Sequence, residues 1–305
     1  MRSLRYVDLV LFGVAIAWGS TYLATKALVP TPEYACVVLA ARMLLSVAAM
    51  LALGRRLPRR AELAAGSLTG AILAAIFAAE TFGVALTTAT NAGVLISLNM
   101  VLTPLVGAAI ERRRPSGAFL ALVVLAILGD LLLATDGQSL RLHLGDGLIL
   151  LAALLRTAHV TLLGVTQRRH ALDVRALTTV QLGVVAIVFG VATTVTGVPV
   201  GTFVSGLGAG HLVVLAYLAL GCTVFAFFAQ AWAIRHTSPS RVALLLGTEP
   251  VWAAVIGVGL AHEHIGPVGV VGIVLTLGAT FAARRVDRRT TAPRPDHGGA
   301  VAAAG

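Results

Sequence analysis

Arg156 and His159 interrupt an otherwise apolar stretch, ILLAALLRTAHVTLLGV at residues 149–165. Their spacing of three residues places both side chains on one face of a helix. A guanidinium in this position can bind an anionic or zwitterionic group, and a histidine can relay protons near physiological pH. The structural alternatives are an ion pair for the arginine and a hydrogen-bonded packing role for the histidine.

Other charged and amide side chains also lie within long apolar segments. They are Lys26, Arg42, Glu80, Asp130, Glu249, Asn99, Gln181 and Gln230. A charge at mid-membrane costs about 2.5–3.5 kcal/mol on insertion scales, so such groups usually face a cavity or a partner. Arg42 can bind a substrate anion or form an internal ion pair with Glu80 or Asp130. Glu80 can tune the substrate charge or form a salt bridge to Arg42 or Arg156, and Arg156 can also neutralise Asp130 or Glu249. Glu249 precedes Pro250, which favours a kink, and this carboxylate suits gating, proton binding or cation recognition unless it only hydrogen-bonds nearby backbone.

The composition identifies the environment of these charges. Hydrophobic residues make up 58% of the 305 residues and charged residues 12%, with a mean hydropathy of +0.92, whereas soluble domains carry about 25% charged residues. The sequence therefore predicts an all-α integral membrane protein. The formal charge of +10 needs no nucleic-acid partner, because the basic residues sit between apolar runs. Cys36 and Cys222 show no disulfide or metal-binding pattern.

Ten apolar segments are long enough to cross a bilayer, which takes about 20 residues. They lie at 7–27, 34–53, 63–86, 92–110, 117–135, 146–166, 175–197, 211–233, 241–261 and 266–283. The first is too long for a removable signal peptide and lacks a small-residue cleavage site, so we expect it to remain as a helix.

The distribution of basic residues predicts the orientation of the chain. Nineteen of the 23 Lys and Arg residues fall in the N-terminal segment, in alternate joints and in the tail, which share one side of the membrane. The positive-inside rule places that side, with both termini, in the cytoplasm at the plasma (inner) membrane. Arg141 lies in an opposite joint. Residues 284–305 are basic and then rich in Pro, Gly and Ala, and are expected to form a disordered cytoplasmic tail.

The chain divides into two related halves, 1–137 and 145–283. Residues 82–117 and 231–267 share a layout in which a helix end is followed by a Thr-rich joint, an apolar helix and a proline within that helix. Each half has five spans, so the halves run through the membrane in opposite directions. Inverted repeats around a central site are typical of transporters that work by alternating access.

Several stretches resemble the EamA-type branch of the drug/metabolite transporter superfamily. They are AIAWGSTYLATKAL (15–28), LAARMLLS (39–46), the pair TTATNAG…TP and HTSPSRVALLLGTEPVWAAV…HE, and GVVGIVLTLG (269–278). The resemblance extends over about residues 9–283 and rests on the order and spacing of the motifs. It implies a ten-helix carrier with two inverted five-helix repeats around a central cavity, most often an exporter of amino acids, metabolites or drugs.

The resemblance also aligns single positions. Arg42 takes the arginine of the family's AxR pattern, Lys26 takes the lysine of WGxxxxxxK, and Glu80 stands where an amide is more usual. The sequence separation of Trp18 and Arg156 is nearly the same as that of Arg42 and Gln181. Arg156 therefore occupies the second-half position of the tryptophan, where the family commonly has an aromatic residue. The counterpart pairs across the repeat are Trp18 and Arg156, Arg42 and Gln181, Glu80 and Gln230, and Thr103 and Glu249.

From these positions we predict the lining of a substrate-binding cavity. The set is Trp18, Arg42, Glu80, Asn99, Arg156, His159, Gln181, Gln230 and Glu249. We expect a secondary transporter that exports a small metabolite, with the lipid bilayer and a small-molecule substrate as partners and protons as a candidate coupling ion. No cofactor, metal or catalytic group is expected. The alternative is a membrane-embedded enzyme or assembly protein that uses His159 and the intramembrane carboxylates.

Overall fold

The computed structural model describes residues 2–28, 34–54, 56–86, 95–110, 112, 115–135, 144–169, 171–197, 200–261 and 264–291. In these ranges the regular structure is helical throughout. The helices are α1 (Arg2–Leu28), α2 (Ala35–Ala52), α3 (Arg60–Ala85), α4 (Asn99–Ile110), α5 (Gly117–Thr135), α6 (Gly145–Arg169), α7 (Val174–Val195), α8 (Val200–Ser205), α9 (Ala209–His236), α10 (Pro239–Leu246), α11 (Glu249–Ala261) and α12 (Pro267–Thr291). The Thr-rich joint at 87–94, Arg141 and residues 292–305 lie outside the described residues. Residues 284–291, which the sequence analysis assigned to a disordered tail, instead continue α12 as a helix.

These helices occupy the places of the ten expected spans. Among the described residues, seven helical segments are long and apolar enough to cross a membrane. They are Arg5–Thr25, Ala35–Ala52, Arg60–Gly83, Gly145–Arg169, Val174–Val195, Ala209–His236 and Pro239–Leu260. Three shorter apolar segments, Leu95–Ile110, Gly117–Leu133 and Pro267–Ala283, fill the remaining places. Many large apolar side chains are exposed on their outer faces, as lipid-facing helices require. The all-α membrane architecture is confirmed.

The ninth span is broken, where the sequence predicted a kinked helix. Leu246 ends α10 and Glu249 begins α11. Pro250 is four residues after Leu246 and has no N–H to bond that carbonyl, so the helical ladder is interrupted. Pro250 instead lies in the first turn of α11, where an N–H is not needed. The interruption places the carboxylate of Glu249 at the start of a new helix.

The eighth span contains a π-helical segment, Leu220–Phe225, that the apolar pattern did not predict. The carbonyls around it accept side-chain hydrogen bonds from other helices. Ser46 Oγ donates to the Ala219 oxygen at 3.1 Å, and Trp18 Nε1 donates to the Cys222 oxygen at 3.0 Å. Segments of this kind often occur at functional sites.

The two halves pack according to an approximate two-fold relation. α2 packs on its counterpart α7, and α5 packs on its counterpart α12. α3 packs against α6 and α7, and correspondingly α9 packs against α1 and α2. α1 contacts α11, and in the matching place α6 contacts α4. Because each half has an odd number of spans, the relating axis lies in the membrane plane, as in inverted repeats.

Residues from the two halves meet close to this axis. Phe77 of α3 and Phe227 of α9 have ring centroids 6.0 Å apart. Gly129 of α5 and Gly272 of α12 lie against each other's backbone, since a Cβ on Gly272 would be 2.5 Å from the Gly129 oxygen. Small residues allow membrane helices to approach this closely.

Arginine-rich joints gather at one end of the helices. Arg56, between α2 and α3, forms ion pairs with Glu62 at 3.4 Å and Asp173 at 3.2 Å. Asp173 caps α7 by accepting hydrogen bonds from the backbone N–H groups of Arg175 and Ala176. The bond from Ala176, then that from Arg175 and the charges of Arg56 and Arg175, hold the pKa of Asp173 below its usual value. The contacts join the two halves at this end.

A buried ion pair ties α1 to α10. Arg241 donates to Asp8 Oδ1 from Nε at 3.1 Å and from Nη2 at 2.5 Å. Both side chains are buried. Asp8 lies near the start of α1, and Asp146, which is also buried, lies near the start of α6. The two halves therefore share a buried aspartate at the beginning of their first helix.

Candidate functional site

A cavity of about 120 Å³ lies between the two halves. Helices α1 to α4 of the first half and α6, α9, α10 and α11 of the second half contribute to its walls. The polar groups that line it come from both halves.

Eight of the nine residues predicted to bind substrate line this cavity. They are Trp18, Arg42, Glu80, Asn99, Arg156, His159, Gln230 and Glu249. The structure thus brings together side chains from distant parts of the sequence, from the first span to the ninth. Their role in binding a substrate stays a prediction.

Gln181 is the predicted residue that does not line the cavity. It is 1% exposed, and its amide nitrogen donates to Thr69 Oγ1 at 2.8 Å. Arg42 makes the matching contact with Thr223 in the other half. Glu80 and Gln230 are counterparts, and each follows one of these threonines in its helix. The separation of Thr69 from Glu80 is about one helical turn longer than that of Thr223 from Gln230. Because of this extra turn, the contact of Gln181 lies further from the cavity.

Arg156 connects two carboxylates across the cavity. Its Nε donates to Glu80 Oε1 at 2.6 Å, and its Nη1 lies 3.7 Å from Glu249 Oε2. Glu80 belongs to α3 and Glu249 to α11, so the arginine on α6 joins two walls. Its guanidinium carbon lies 5.4 Å from the centre of the Trp18 ring, within the range of a cation–π interaction. The structural ion pair considered for Arg156 from the sequence is present, and Arg156 forms it with both Glu80 and Glu249.

Arg42 is held by neutral groups rather than by a carboxylate. Its Nε donates to Thr223 Oγ1 at 2.6 Å, and its Nη2 donates to the Cys222 oxygen at 3.3 Å. Both acceptors belong to the π-helical segment of α9. The guanidinium carbon lies 5.9 Å from the centre of the Phe77 ring. Among the described residues no carboxylate lies within ion-pair distance of Arg42, so this side chain offers the cavity a positive charge.

Aromatic rings form a continuous part of the cavity wall. Trp18 and Phe227 have ring centroids 5.3 Å apart, and Phe227 and Phe77 have centroids 6.0 Å apart. The guanidinium groups of Arg156 and Arg42 each lie over one of these rings. The wall can therefore hold the apolar body of a ligand and can also face a cation.

His159 faces the cavity but is anchored from behind. Its Nε2 lies 3.1 Å from the amide nitrogen of Gln181, and the ring is buried. This contact to the Gln181 amide fixes the orientation of the ring. The hydrogen-bonded packing role considered for His159 from the sequence is present. A proton relay through His159 stays a prediction.

Asp130 lies outside the cavity. It belongs to the contact of α5 with α12, where Thr276 Oγ1 donates to its Oδ1 at 3.0 Å. The ion pairs to Arg42 or Arg156 that were considered from the sequence are thus not formed by Asp130 in the described structure. The side chain of Lys26 lies outside the described part of the chain.

Gly19 sets the approach of α1 to α11. A Cβ on this residue would lie 2.7 Å from the Ala253 nitrogen and 3.0 Å from the Glu249 oxygen. Only a residue without a side chain allows the two backbones to come this close. The crossing holds Trp18 and Glu249 near each other on adjoining walls of the cavity.

Sequence reasoning missed two aromatic residues of the cavity wall, Phe77 and Phe227, and two residues that hold Arg42, Cys222 and Thr223. The sequence contained a signal for Phe77 and Phe227. Phe77 lies three residues before Glu80, and Phe227 lies three residues before its counterpart Gln230. Cys222 and Thr223 had none. The apolar sequence Leu220–Phe225 fits an α-helix equally well, and only the packing of α2 and α1 against α9 reveals the π-helical carbonyl.

The fold and the cavity define a class of protein: a helical membrane protein built from two repeats with a polar cavity between them. The EamA-like transporter family matches the chain twice, over residues 5–135 and 143–284. The chain therefore belongs to the EamA-like transporter family. Its members are membrane transporters of small molecules and not enzymes.

A solved crystal structure shares the fold. It superposes with a TM-score of 0.73 at 15% sequence identity, and the match covers 94% of this chain and 99% of the other. At that identity the likeness concerns the fold alone. No curated protein gives a significant match to the chain.

Proposed function

We propose that this chain is a secondary carrier that exports a small metabolite, an amino-acid-like compound or a drug by alternating access. The observation that carries the proposal is the position of the cavity, which lies between two halves related by an approximate two-fold axis and takes charges from both. A central site between inverted repeats can be exposed to either side when one half rocks against the other.

The cavity residues divide the work of binding by their chemistry. Arg42 binds an anionic group, and Glu80 and Glu249 bind a cationic group or a proton. Trp18 contributes an apolar surface. Asn99 and Gln230 supply hydrogen bonds that orient the substrate, and Gln181 acts from behind by holding His159 in place.

The proposed orientation places both termini in the cytoplasm of the plasma (inner) membrane. Support comes from the arginine-rich joints, since Arg56, Arg175 and Arg235 lie at one end and bond across the joints there. Arg241, also from an arginine-bearing joint, pairs with Asp8 near the N-terminus. This clustering agrees with the positive-inside rule.

Coupling to protons would use a carboxylate that binds substrate and proton in competition. Glu249 is our candidate, because it faces the cavity and its contact with Arg156 is the longer of the two. Counterflow of solute in sealed liposomes, measured with and without a pH gradient, separates a proton antiporter from a uniporter.

The test compares compounds released to the medium by cells that produce the wild type, Glu249→Gln or Arg156→Ala at matched levels in the membrane. We expect a compound that the wild type exports and that at least one variant exports several-fold more slowly. Cells producing Arg60→Gln, which alters an exposed arginine that does not line the cavity, serve as the matched control. The proposal is contradicted if all of these cells release the same compounds as cells without the protein and if liposomes show no counterflow.

A further inference from the structure

Arg156 occupies the part of the cavity where a substrate cation would bind. Its guanidinium lies against two carboxylates and over an aromatic ring, which are the groups that recognise a protonated amine. We propose that Arg156 is a tethered competitor for such an amine, and that the cavity selects amine-bearing substrates by exchanging Arg156 for the substrate at Glu249. The inference rests on the proposed function, since it takes the cavity as the substrate site.

The contacts of Arg156 with Glu80 and with Glu249 are unequal. The distance from Nε to Glu80 Oε1 is 2.6 Å, that of a charge-assisted hydrogen bond. The distance from Nη1 to Glu249 Oε2 is 3.7 Å, which is an ion pair without a hydrogen bond. An incoming amine that approaches Glu249 to hydrogen-bond distance therefore gains a closer interaction than the arginine has, while Arg156 keeps its bond to Glu80.

The surroundings of Glu249 suit an amine with an apolar body. Trp18 and Phe227 form an aromatic pair with centroids 5.3 Å apart beside this carboxylate. Trp18 already lies under a guanidinium, which shows that its face is accessible to a cation. Arg42 lies over a different ring, Phe77, and leaves this place open to the substrate.

The comparison of the halves indicates that Arg156 and Glu80 are an added pair. In the other half the corresponding residues are Trp18 and Gln230, neither of which is charged. Removing the pair leaves Glu249 as the remaining carboxylate of the Arg156 cluster. Because the arginine and the glutamate carry opposite charges, the change keeps the net charge of the cavity constant.

The experiment measures equilibrium binding of two labelled probes with the same apolar body, 2-phenylethylamine and 3-phenylpropionate, to the purified full chain in detergent. In Arg156→Gln, and in Glu80→Gln combined with Arg156→Gln, we expect the amine to bind about tenfold more tightly than in the wild type, which corresponds to about 1.4 kcal/mol. The anion should gain nothing. Adding Glu249→Gln to the double variant should abolish the gain.

The matched control is Arg56→Gln. Arg56 also bridges two carboxylates, Glu62 and Asp173, but at the arginine-rich end of the helices. This variant removes a similar ion-pair arrangement without touching the cavity, so its affinity for both probes should equal that of the wild type. The double variant Glu80→Gln with Arg156→Gln controls for misfolding, because both charges of the Arg156–Glu80 pair are removed together and neither is left without its partner.

Three results would overturn the inference. The first is an amine affinity in both variants within twofold of the wild type, and the second is an equal gain for the anion. The third is the absence of amine binding in every variant, since Glu249 should bind the amine once Arg156 is replaced. Failure of the proposed function has a different signature. Binding that depends on probe charge, without any flux in sealed liposomes, would reject the proposed transport and support competition between Arg156 and the amine. Flux that does not depend on probe charge would support transport and reject that competition.

Discussion

Trp18 in the first half (α1 to α5) and Arg156 in the second half (α6 to α12) hold corresponding positions, and the arginine lies 5.4 Å above the indole ring. The same contrast recurs at each charged position of the cavity for which a counterpart is assigned. Arg42, Glu80, Arg156 and Glu249 have the uncharged counterparts Gln181, Gln230, Trp18 and Thr103. The aromatic pair Phe77 and Phe227, in contrast, is shared by both halves.

This difference shows how a two-fold scaffold holds an asymmetric site. Residues near the axis meet their own counterparts, so a charge repeated in both halves would face a like charge at a few ångströms. In a low-dielectric interior that repulsion is strong. Packing residues can be repeated there without cost, whereas each charge needs an uncharged or opposite counterpart. The scaffold is therefore shared, and recognition depends on the positions where the halves differ.

Making the halves alike at Trp18 should have the largest effect. Trp18→Arg places a second guanidinium beside Arg156 and removes the hydrogen bond from Trp18 Nε1 to the Cys222 oxygen. We expect a loss of about 3–5 kcal/mol in the free energy of unfolding, as for an uncompensated buried charge. Thermal unfolding of the purified protein in detergent measures the loss.

Trp18→Phe is the matched control, because it removes the same hydrogen bond without adding a charge. We expect this variant to lose only about 1 kcal/mol. If the arginine variant is as stable as the phenylalanine variant, like charges are tolerated at this position and the explanation of the asymmetry is wrong.

A methyl group at the crossing of α1 and α11 should have an intermediate effect. Gly19→Ala places a Cβ 2.7 Å from the Ala253 nitrogen, so the helices must separate, at a cost of about 1–3 kcal/mol. The displacement of Glu249 should also slow transport. Gly13→Ala on the same helix meets its nearest atom, in the Phe225 ring, at 3.5 Å and should be neutral. Equal stability and transport of the two variants would show that the crossing is not tight.

The smallest effect concerns the starts of the counterpart helices α2 and α7, where Tyr34 and Asp173 hold corresponding positions. Asp173 caps its helix with a carboxylate, while Tyr34 makes no capping hydrogen bond. Asp173→Ala should cost about 1 kcal/mol at neutral pH. Tyr34→Phe serves as control, since it removes no cap and keeps the ring that stacks on Phe203.

The cost of Asp173→Ala should depend on pH. The pKa of Asp173 is lowered in the folded protein, chiefly by the hydrogen bond from Ala176. Its stabilising contribution is therefore fully present above the unfolded pKa of about 3.9 and is lost as the pH falls through the lower folded value. The difference in unfolding midpoint between wild type and variant should shrink over that acid range. A difference that stays constant from neutral pH to strong acid would exclude the carboxylate as its cause.

Much of the site could be predicted because charges in apolar segments are few and must face a cavity or a partner. Arg42, Glu80, Arg156 and Glu249 were found in this way, and they do line one cavity. The same argument selected Asp130, which lies instead in the α5–α12 contact, where its Oδ1 accepts a hydrogen bond from Thr276. Position in an apolar segment identifies a buried charge, but it does not distinguish a cavity from a helix interface.

The sequence by itself determined the membrane environment, the number and order of spans and the presence of two inverted halves. These follow from local hydropathy and from the distribution of arginine, which need no knowledge of contacts. The tertiary structure alone decided which charges pair, that Glu249 begins a new helix, and that a π-helical carbonyl receives Trp18 and Arg42. Such features depend on distances between residues as far apart in sequence as Arg42 and Cys222, and only the packing of the helices sets those distances.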